Sequence, residues 1–368
     1  MSGRVVDVEV NPNNPIEFYV AYASGGLWYS NNNGMSFEPV MDSAPTQNIG
    51  EIAVDWKNGT LWVGTGEHNA SRSSYAGIGM LKSSDKGKTW QNMGLNDSHH
   101  IGKIEINPNN SNEIVVGVTG HLYSKNTERG IYKSTDGGNS WKKTLYIDDE
   151  TGIVDISVSP KNFNIQYLFA WKKDRKAWNF LGNGSTSGIY KSEDGGNSWK
   201  LISTPESGFP TGDGVGRIGL VAFDDQIVYA VVDNQFNRPK SEEKKSNLPT
   251  MFSVPGDVFL QISDKEINTV LKKHGLTEKY RAQNLKNMVS NGKMLPEEVK
   301  NAISDANKAL FETEVIGAEV YKSTDGGKTW KKHIPILLMI SFIRMAIILD
   351  ELQLIRLMRI NFMYVAYR

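Results

Sequence analysis

An eight-residue pattern that returns five times constrains this chain more than any other feature. It reads Ser83-Ser-Asp85-Lys-Gly87-Lys-Thr89-Trp90, Ser134-Thr-Asp136-Gly-Gly138-Asn-Ser140-Trp141, Ser192-Glu-Asp194-Gly-Gly196-Asn-Ser198-Trp199 and Ser323-Thr-Asp325-Gly-Gly327-Lys-Thr329-Trp330. A degenerate first copy, Ser30-Asn-Asn32-Asn-Gly34-Met-Ser36-Phe37, puts Asn in place of Asp and Phe in place of Trp. Such a recurrence means stacked supersecondary units that bury their apolar faces against one another. The octet fits a hairpin turn in which Asp caps backbone N–H groups and Gly takes positive φ. The aromatic residue then opens the next strand and buries its ring. The expected role of Asp85, Asp136, Asp194 and Asp325, and of Trp90, Trp141, Trp199 and Trp330, is therefore structural.

Short alternating strands recur around each octet. Val8-Glu-Val10-Asn-Pro12, Ile104-Glu-Ile106-Asn-Pro108 and Ile156-Ser-Val158-Ser-Pro160 run into turns. Second strands are expected over 18–22, 113–118 and 166–171, and a third leads into each octet. The octet aromatics stand at 37, 90, 141 and 199, steps of 53, 51 and 58 residues, and the next follows at 330. Four antiparallel strands every ~50 residues is the grammar of a propeller blade. The spacing predicts an all-β fold: an incomplete β-propeller of about five four-stranded blades.

The long step between 199 and 330 holds an insertion in the fifth blade. Blades one to four and half of blade five are expected over 1–233, a charged linker and three helices over 234–317, and the rest of blade five over 318–332. Ser263-Asp-Lys-Glu266 reads as a capping box before Ile267, Val270 and Leu271. A second helix is expected from Thr277 to near Gly292, and a third from Pro296 with Val299, Ile303 and Leu310 on one face. The stripes predict a small core packed on the propeller.

Both ends depart from the pattern. Met1-Ser-Gly-Arg runs straight into a strand with no signal-peptide stretch. The interval from Lys328 to Arg368 contains no glycine, and its apolar run is broken by Pro335 and Arg344. That run falls short of the ~20 apolar residues of a membrane-spanning helix. Read two nucleotides later with permissible codons, 344–356 can encode Ser-Tyr-Gly-Tyr-Tyr-Phe-Gly-Arg-Ile-Ala-Val-Asp-Pro, a first strand for a sixth blade. Residues 333–368 are accordingly expected to be a frameshifted, non-native tail, with the remaining blades belonging to a longer protein.

The octet and the strand motif G-R/K-I-x-x-x-P resemble the Asp-box, or BNR repeat, of sialidase-like and sortilin-like β-propellers. Over residues 1–332 the chain resembles the N-terminal propeller of the sortilin (VPS10) family and its bacterial, WD40/YVTN-like relatives. The resemblance implies a non-catalytic, extracytoplasmic binding module, periplasmic, outer-membrane-associated or secreted, with peptide or glycan ligands at the channel face. Because many relatives are called glycosyl hydrolases, it also leaves open a xyloglucanase- or endoglucanase-like enzyme using a carboxylate pair. A sialidase is disfavoured, since its Phe-Arg-Ile-Pro signature is absent.

Composition narrows the partners. The chain has 41 Lys and Arg against 41 Asp and Glu, without the basic surplus that nucleic-acid binding requires. With no cysteine there is no disulfide or thiolate chemistry. The six histidines show no HExxH-type spacing, so no metal and no cofactor are expected.

In an up-and-down meander the loops from second to third strands emerge on one face, where each first strand begins. The long connections 65–79, 119–130 and 172–188 all fall there, so function is expected there. A charged residue precedes each first-strand apolar pair: Asp7, Glu51, Lys103, Asp155 and Arg217. These five are predicted to ring the channel mouth and bind ligand, together with His68, Arg72, His100, Tyr123 and Trp178 of the surrounding loops. Glycoside hydrolysis needs two carboxylates about 5–10 Å apart, and Asp7, Glu51, Glu67, Asp155 and Asp174 are the candidates, with no spacing that selects a pair.

Overall fold

Alternation along each strand sends successive side chains to opposite faces, and here each face meets a different neighbouring sheet. The computed structural model describes residues 3–238, 250–273, 281–299 and 315–334. Its first sheet runs β1 (Val5–Val10), β2 (Phe18–Tyr22), β3 (Gly26–Ser30), β4 (Glu38–Pro39), and its second β5 (Ile49–Asp55), β6 (Thr60–Thr65), β7 (Met80–Ser83), β8 (Gln91–Asn92). The third is β9 (Ile101–Ile106), β10 (Ile114–Val118), β11 (Gly130–Ser134), β12 (Lys142–Leu145). In the fourth, β13 (Thr151–Ser159) and β14 (Asn162–Lys172) are followed by a small hairpin, β15 (Asp174–Arg175) with β16 (Phe180–Leu181), before β17 (Gly188–Ser192) and β18 (Lys200–Leu201). The fifth is β19 (Val215–Ala222), β20 (Val228–Asn237), β21 (Val315–Ser323), β22 (Lys331–Ile334).

These are five four-stranded antiparallel blades of a β-propeller. First strands of successive blades touch, β1 with β5, β5 with β9, β9 with β13 and β13 with β19, so they are innermost. The outer strands β4, β8 and β18 are two exposed residues each, short edges that offer little to a pairing strand. Period-2 patterning builds the core between blades. From β10, Ile114, Val116 and Val118 pack with Trp62, Met80 and Ile101, whereas Val115 packs with Ile153, Ile156 and Leu168.

Each octet closes one hairpin by the same bonds. In the second copy, Ser83 Oγ donates to Asp85 Oδ1 at 2.8 Å and accepts the Gly87 N–H at 2.8 Å. Asp85 also accepts the Thr89 N–H at 2.9 Å and the Thr89 hydroxyl at 2.6 Å. Asp136, Asp194 and Asp325 repeat this set with Ser140, Ser198 and Thr329. Asn32 accepts the Ser36 N–H at 3.0 Å through its amide oxygen, so the degenerate copy forms the same turn. The Trp indoles reach the preceding blade: Trp90 Nε1 donates to the Val40 carbonyl, Trp141 Nε1 to that of Met93 and Trp199 Nε1 to the Thr144 hydroxyl. Trp330 is buried, and its backbone N–H donates to the Ser207 carbonyl at 2.7 Å.

Residues Asn237–Ile316 form a second compact unit, inserted between β20 and β21. Phe252, Phe259, Ile267, Leu271, Ala282, Leu285 and Val299 make its own core. Its helices are α1 (Gly256–Gln261), α2 (Asp264–Lys273) and α3 (Ala282–Ser290), and a further helical stretch begins at 296–299. Helix α1, started after Pro255, has too short an apolar stripe to be read from sequence. Ser263 caps α2, accepting the Glu266 N–H at 3.3 Å and donating to its carboxylate at 2.8 Å. Helix α3, which carries the expected Leu285, Met288 and Val289, begins at Ala282 after an extended Arg281 with ψ 153°, and the start expected at Thr277, with Tyr280, lies outside the described residues. Of the expected non-native tail 333–368, His333 and Ile334 belong to β22, Ile334 pairing with Val320, and the rest, with Ile303, Leu310 and the charged run 239–245, lies outside the described residues. No described helix is long and apolar enough to cross a membrane.

Candidate functional site

The connection between β6 and β7 crosses the end of the propeller where the inner strands begin. Its Glu67 is buried and accepts Arg4 Nε at 2.7 Å, with a second short bond from Arg4 Nη2, which ties blade two to the start of blade one. Ser74 Oγ and Asn69 Nδ2 also donate to Glu67, at 2.7 and 3.2 Å. Asn69 Oδ1 in turn accepts Arg217 Nη1 of blade five at 2.8 Å. Between them Ala70, at φ +56°, packs into the apolar cluster of Leu122, Trp171, Phe209 and Val215. Burial alone would raise the Glu67 carboxyl. Bonds from Arg4, Ser74 and Asn69, with the charge of Arg4, outweigh it and hold the pKa below the ordinary value.

Beneath this loop the charged positions of the inner strands make internal contacts. Asp7 is 4% exposed; its carboxylate accepts the Val8 N–H at 2.7 Å and the Ile52 N–H of the next blade at 3.1 Å. Asp155 does the same between blades four and five, accepting the Leu220 N–H at 2.9 Å. Glu51 is buried in an ion pair with Lys103, and the Arg217 guanidinium lies 5.7 Å from the centroid of the Trp171 ring. Asp7 and Asp155 thus bond the backbone of the next blade, Glu51 pairs with Lys103 of the next blade, and Arg217 bonds Asn69 of the crossing loop. His68 and His100 are buried, and desolvation lowers both pKa values, that of His100 to about 3 with a further contribution from the charge of Lys173.

Sequence reasoning passed over Glu105, one turn of the pleat below Lys103. Burial pushes its carboxyl up to about 7; Lys103 opposes this, while the negative charges of Asp155 and Asp7 add to it. The alternation Lys103, Glu105 along β9 places both on the same face of that strand.

The outward-facing groups belong to loops. Tyr75 is 59% exposed, Tyr123 51% and Trp178 83%. They come from the second-to-third-strand connections of blades two, three and four. Tyr123 Oη donates to the Arg72 carbonyl at 3.5 Å, and Lys173 Nζ to the His121 carbonyl at 3.3 Å, so these loops adjoin. Arg72 is exposed, and Asp174 pairs with Lys176 at 2.9 Å beside Trp178.

Three potential metal ligands also meet here. Asp97, His99 and His121 bring ligand atoms within 4.8 Å of one another. The spacing of the histidines gave no hint of this, because His99 precedes β9 and His121 follows β10. Those strand ends pair, Ile101 opposite Val118, so register was the signal to follow.

A family model described as sortilin, neurotensin receptor 3, matches residues 78–255, and a BNR/Asp-box repeat model matches 321–332. No curated protein matches the chain. Among solved structures, the GH74 xyloglucanase of Xanthomonas campestris aligns with TM-score 0.51 at 16% identity, over 90% of this chain and 38% of that one. An ancestral GH74 enzyme aligns with TM-score 0.48 at 21% identity, over 64% of this chain and 28% of that one. YCF48 bound to D1 peptide gives TM-score 0.40 at 12% identity, over 90% and 82%. The chain spans 28% and 38% of the two GH74 structures, and the likeness to the Xanthomonas enzyme is one of fold. With the box geometry, the blade topology and the two family matches together, the chain is an Asp-box (BNR-repeat) β-propeller that is similar to the sortilin-type propellers over residues 78–255.

Proposed function

We propose that this chain is part of an extracytoplasmic binding propeller that takes a peptide or glycan ligand at its loop end. One observation carries the reading: at this end most of the candidate carboxylates are committed inward while the aromatics face outward. Asp7, Glu51, Glu67 and Asp155 are buried and hold blades or loops together, whereas Tyr75, Tyr123 and Trp178 stand exposed on adjoining loops. Large exposed aromatics on a rigid scaffold are the usual anchors of an interface, and their flat faces suit sugar rings and peptide side chains alike. The sortilin-type match supports the reading, since it covers the loops that carry Tyr123 and Trp178 and its description is that of a receptor.

A second reading, a glycoside hydrolase acting on β-glucans, is favoured by one feature. Glu105, raised to about 7, feels the charges of Asp7 and Asp155, and a protonated acid near an ionised carboxylate is what glycoside hydrolysis requires.

A glycan and peptide array probed with this chain separates the two. The binding reading expects retained ligands whose signal falls about tenfold on Trp178→Ala or Tyr123→Ala, with no sugar released. Reducing ends liberated from β-glucans, and lost on Glu105→Gln, would replace it with the enzyme reading. An array without a single ligand sensitive to Trp178 would sink it.

A further inference from the structure

We propose that Asp97, His99 and His121 form a binding site for a divalent transition-metal ion of the zinc type, on the loop end of blade three. The donor atoms are already close to coordination spacing. Asp97 Oδ1 lies 3.2 Å from His121 Nε2 and 3.7 Å from His99 Nε2. Two ligands at 2.0–2.1 Å from a tetrahedral zinc stand about 3.3–3.4 Å apart, so the observed separations bracket the required one. The two imidazoles stack with centroids 3.7 Å apart and planes 20° apart; because each lone pair lies in its ring plane, coordination by both requires one ring to turn out of the stack about its side-chain torsions, and the ligand atoms lie within 4.8 Å of one another beforehand.

Surrounding bonds orient the set as outer-shell partners orient metal ligands. His121 Nδ1 is 2.8 Å from Ser124 Oγ. With the proton on Nδ1, Nε2 presents a lone pair to Asp97 Oδ1 and to the Asp97 carbonyl at 3.1 Å. Asn126 Nδ2 donates to the Asp97 carbonyl and to Asp97 Oδ2, each at 3.3 Å, which leaves His121 Nε2 and Asp97 Oδ1 as two facing acceptors that a cation would satisfy. The backbone is fixed on both sides. Asp97 sits in the 3-10 turn Asn96–Ser98, between Leu95, left-handed at φ +58°, and His99, at φ +56° and ψ −41°. The His121 carbonyl is held by Arg129 Nη2 at 2.8 Å and by Lys173. Two imidazoles and one carboxylate form a borderline donor set that suits zinc, nickel or copper rather than magnesium or calcium. Three protein ligands leave a fourth position open on the exposed side, where the Asp97 side chain is 69% accessible.

The test titrates the whole chain with zinc chloride in a calorimeter and with cobalt chloride while its visible absorption is read. The expected result is saturable binding of one equivalent, weaker at about pH 5.5 than at about pH 7.5 because the imidazoles must be deprotonated. His121→Gln and His99→Asn are each expected to weaken binding about tenfold or more, with His333→Gln unchanged. Asn is among the residues that most readily take positive φ, as position 99 requires, so that variant separates lost ligation from lost folding. Absence of saturable binding by the unaltered chain overturns the proposal, as does binding that His99→Asn and His121→Gln leave intact.

Discussion

A carboxylate's surroundings decide whether acid or alkali weakens this fold, and the chain holds both cases. Asp85 and Asp136 are pulled down to about 2, chiefly by bonds from Thr89 and Ser140. A depressed carboxyl contributes stability that is fully present above its unfolded value and is lost as pH falls through the folded one. Acid unfolding of the hairpins is therefore expected between about pH 4 and pH 2. Asn32 builds the same turn without charge, so Asp136→Asn should cost little at neutral pH and flatten the melting-temperature profile in that window. An unaltered acid limb would count against this account. Glu105 has the opposite sign. Its folded pKa is raised from 4.5 to about 7, so the folded state is penalised as pH climbs from the first value to the second. Glu105→Gln should raise the melting temperature at about pH 8 and not at about pH 4, by on the order of 2–4 °C per kcal/mol of relieved penalty. Equal effects at both pH values would show that packing, not charge, is responsible.

At the scale of elements, the box turn is held by close approach as well as by hydrogen bonds. A Cβ on Gly138, at φ +87°, would lie 2.4 Å from the Trp62 ring of the neighbouring blade, whereas one on Gly59, at φ +70°, meets nothing within 4 Å. Gly138→Ala should cost about 1–3 kcal/mol beyond Gly59→Ala, read as the difference between their urea midpoints at constant slope. The turns and the alternating strands were legible because each needs particular residue types at fixed offsets. The crossing loop was not. Arg4 and Glu67 are 63 residues apart and Asn69 and Arg217 are 148 apart, and no local pattern encodes such pairs. The inward commitment of Asp7 and Asp155 was hidden for the same reason, since their acceptor role depends on backbone N–H groups of the next blade. Glu67→Ala should free the crossing loop while the blades stay folded. Hydrogen exchange at Gly77 and Ile78, whose N–H groups bond the His99 carbonyl and Thr65 Oγ1, should quicken about tenfold or more, with the amides of β6 unchanged. Parallel acceleration in β6 would mean the loop and blade open as one.

For the molecule as a whole, the question is why a blade tolerates eighty residues inserted between two of its paired strands. Chain entropy supplies part of the answer: closing a longer loop costs only about 0.6 kcal/mol per doubling of length. The rest is that the insertion brings its own core. The Phe252 and Phe259 rings meet at a tilt with centroids 5.8 Å apart within it, Lys286 of α3 pairs with Asp264 of α2 at 2.7 Å, and Asn268 accepts the Ala282 N–H at 2.8 Å. The ordering cost of the segment is thus met inside the segment, and β20 and β21 need only a link between their neighbouring ends at Asn237 and Val315. Replacing 238–314 by a short Gly/Ser hairpin should leave the strand signature and the main melting transition of the blades within a few degrees. It should also remove the helical circular-dichroism signal of α1 to α3. A collapse of the main transition would show that blade five depends on the insertion for more than continuity of the chain.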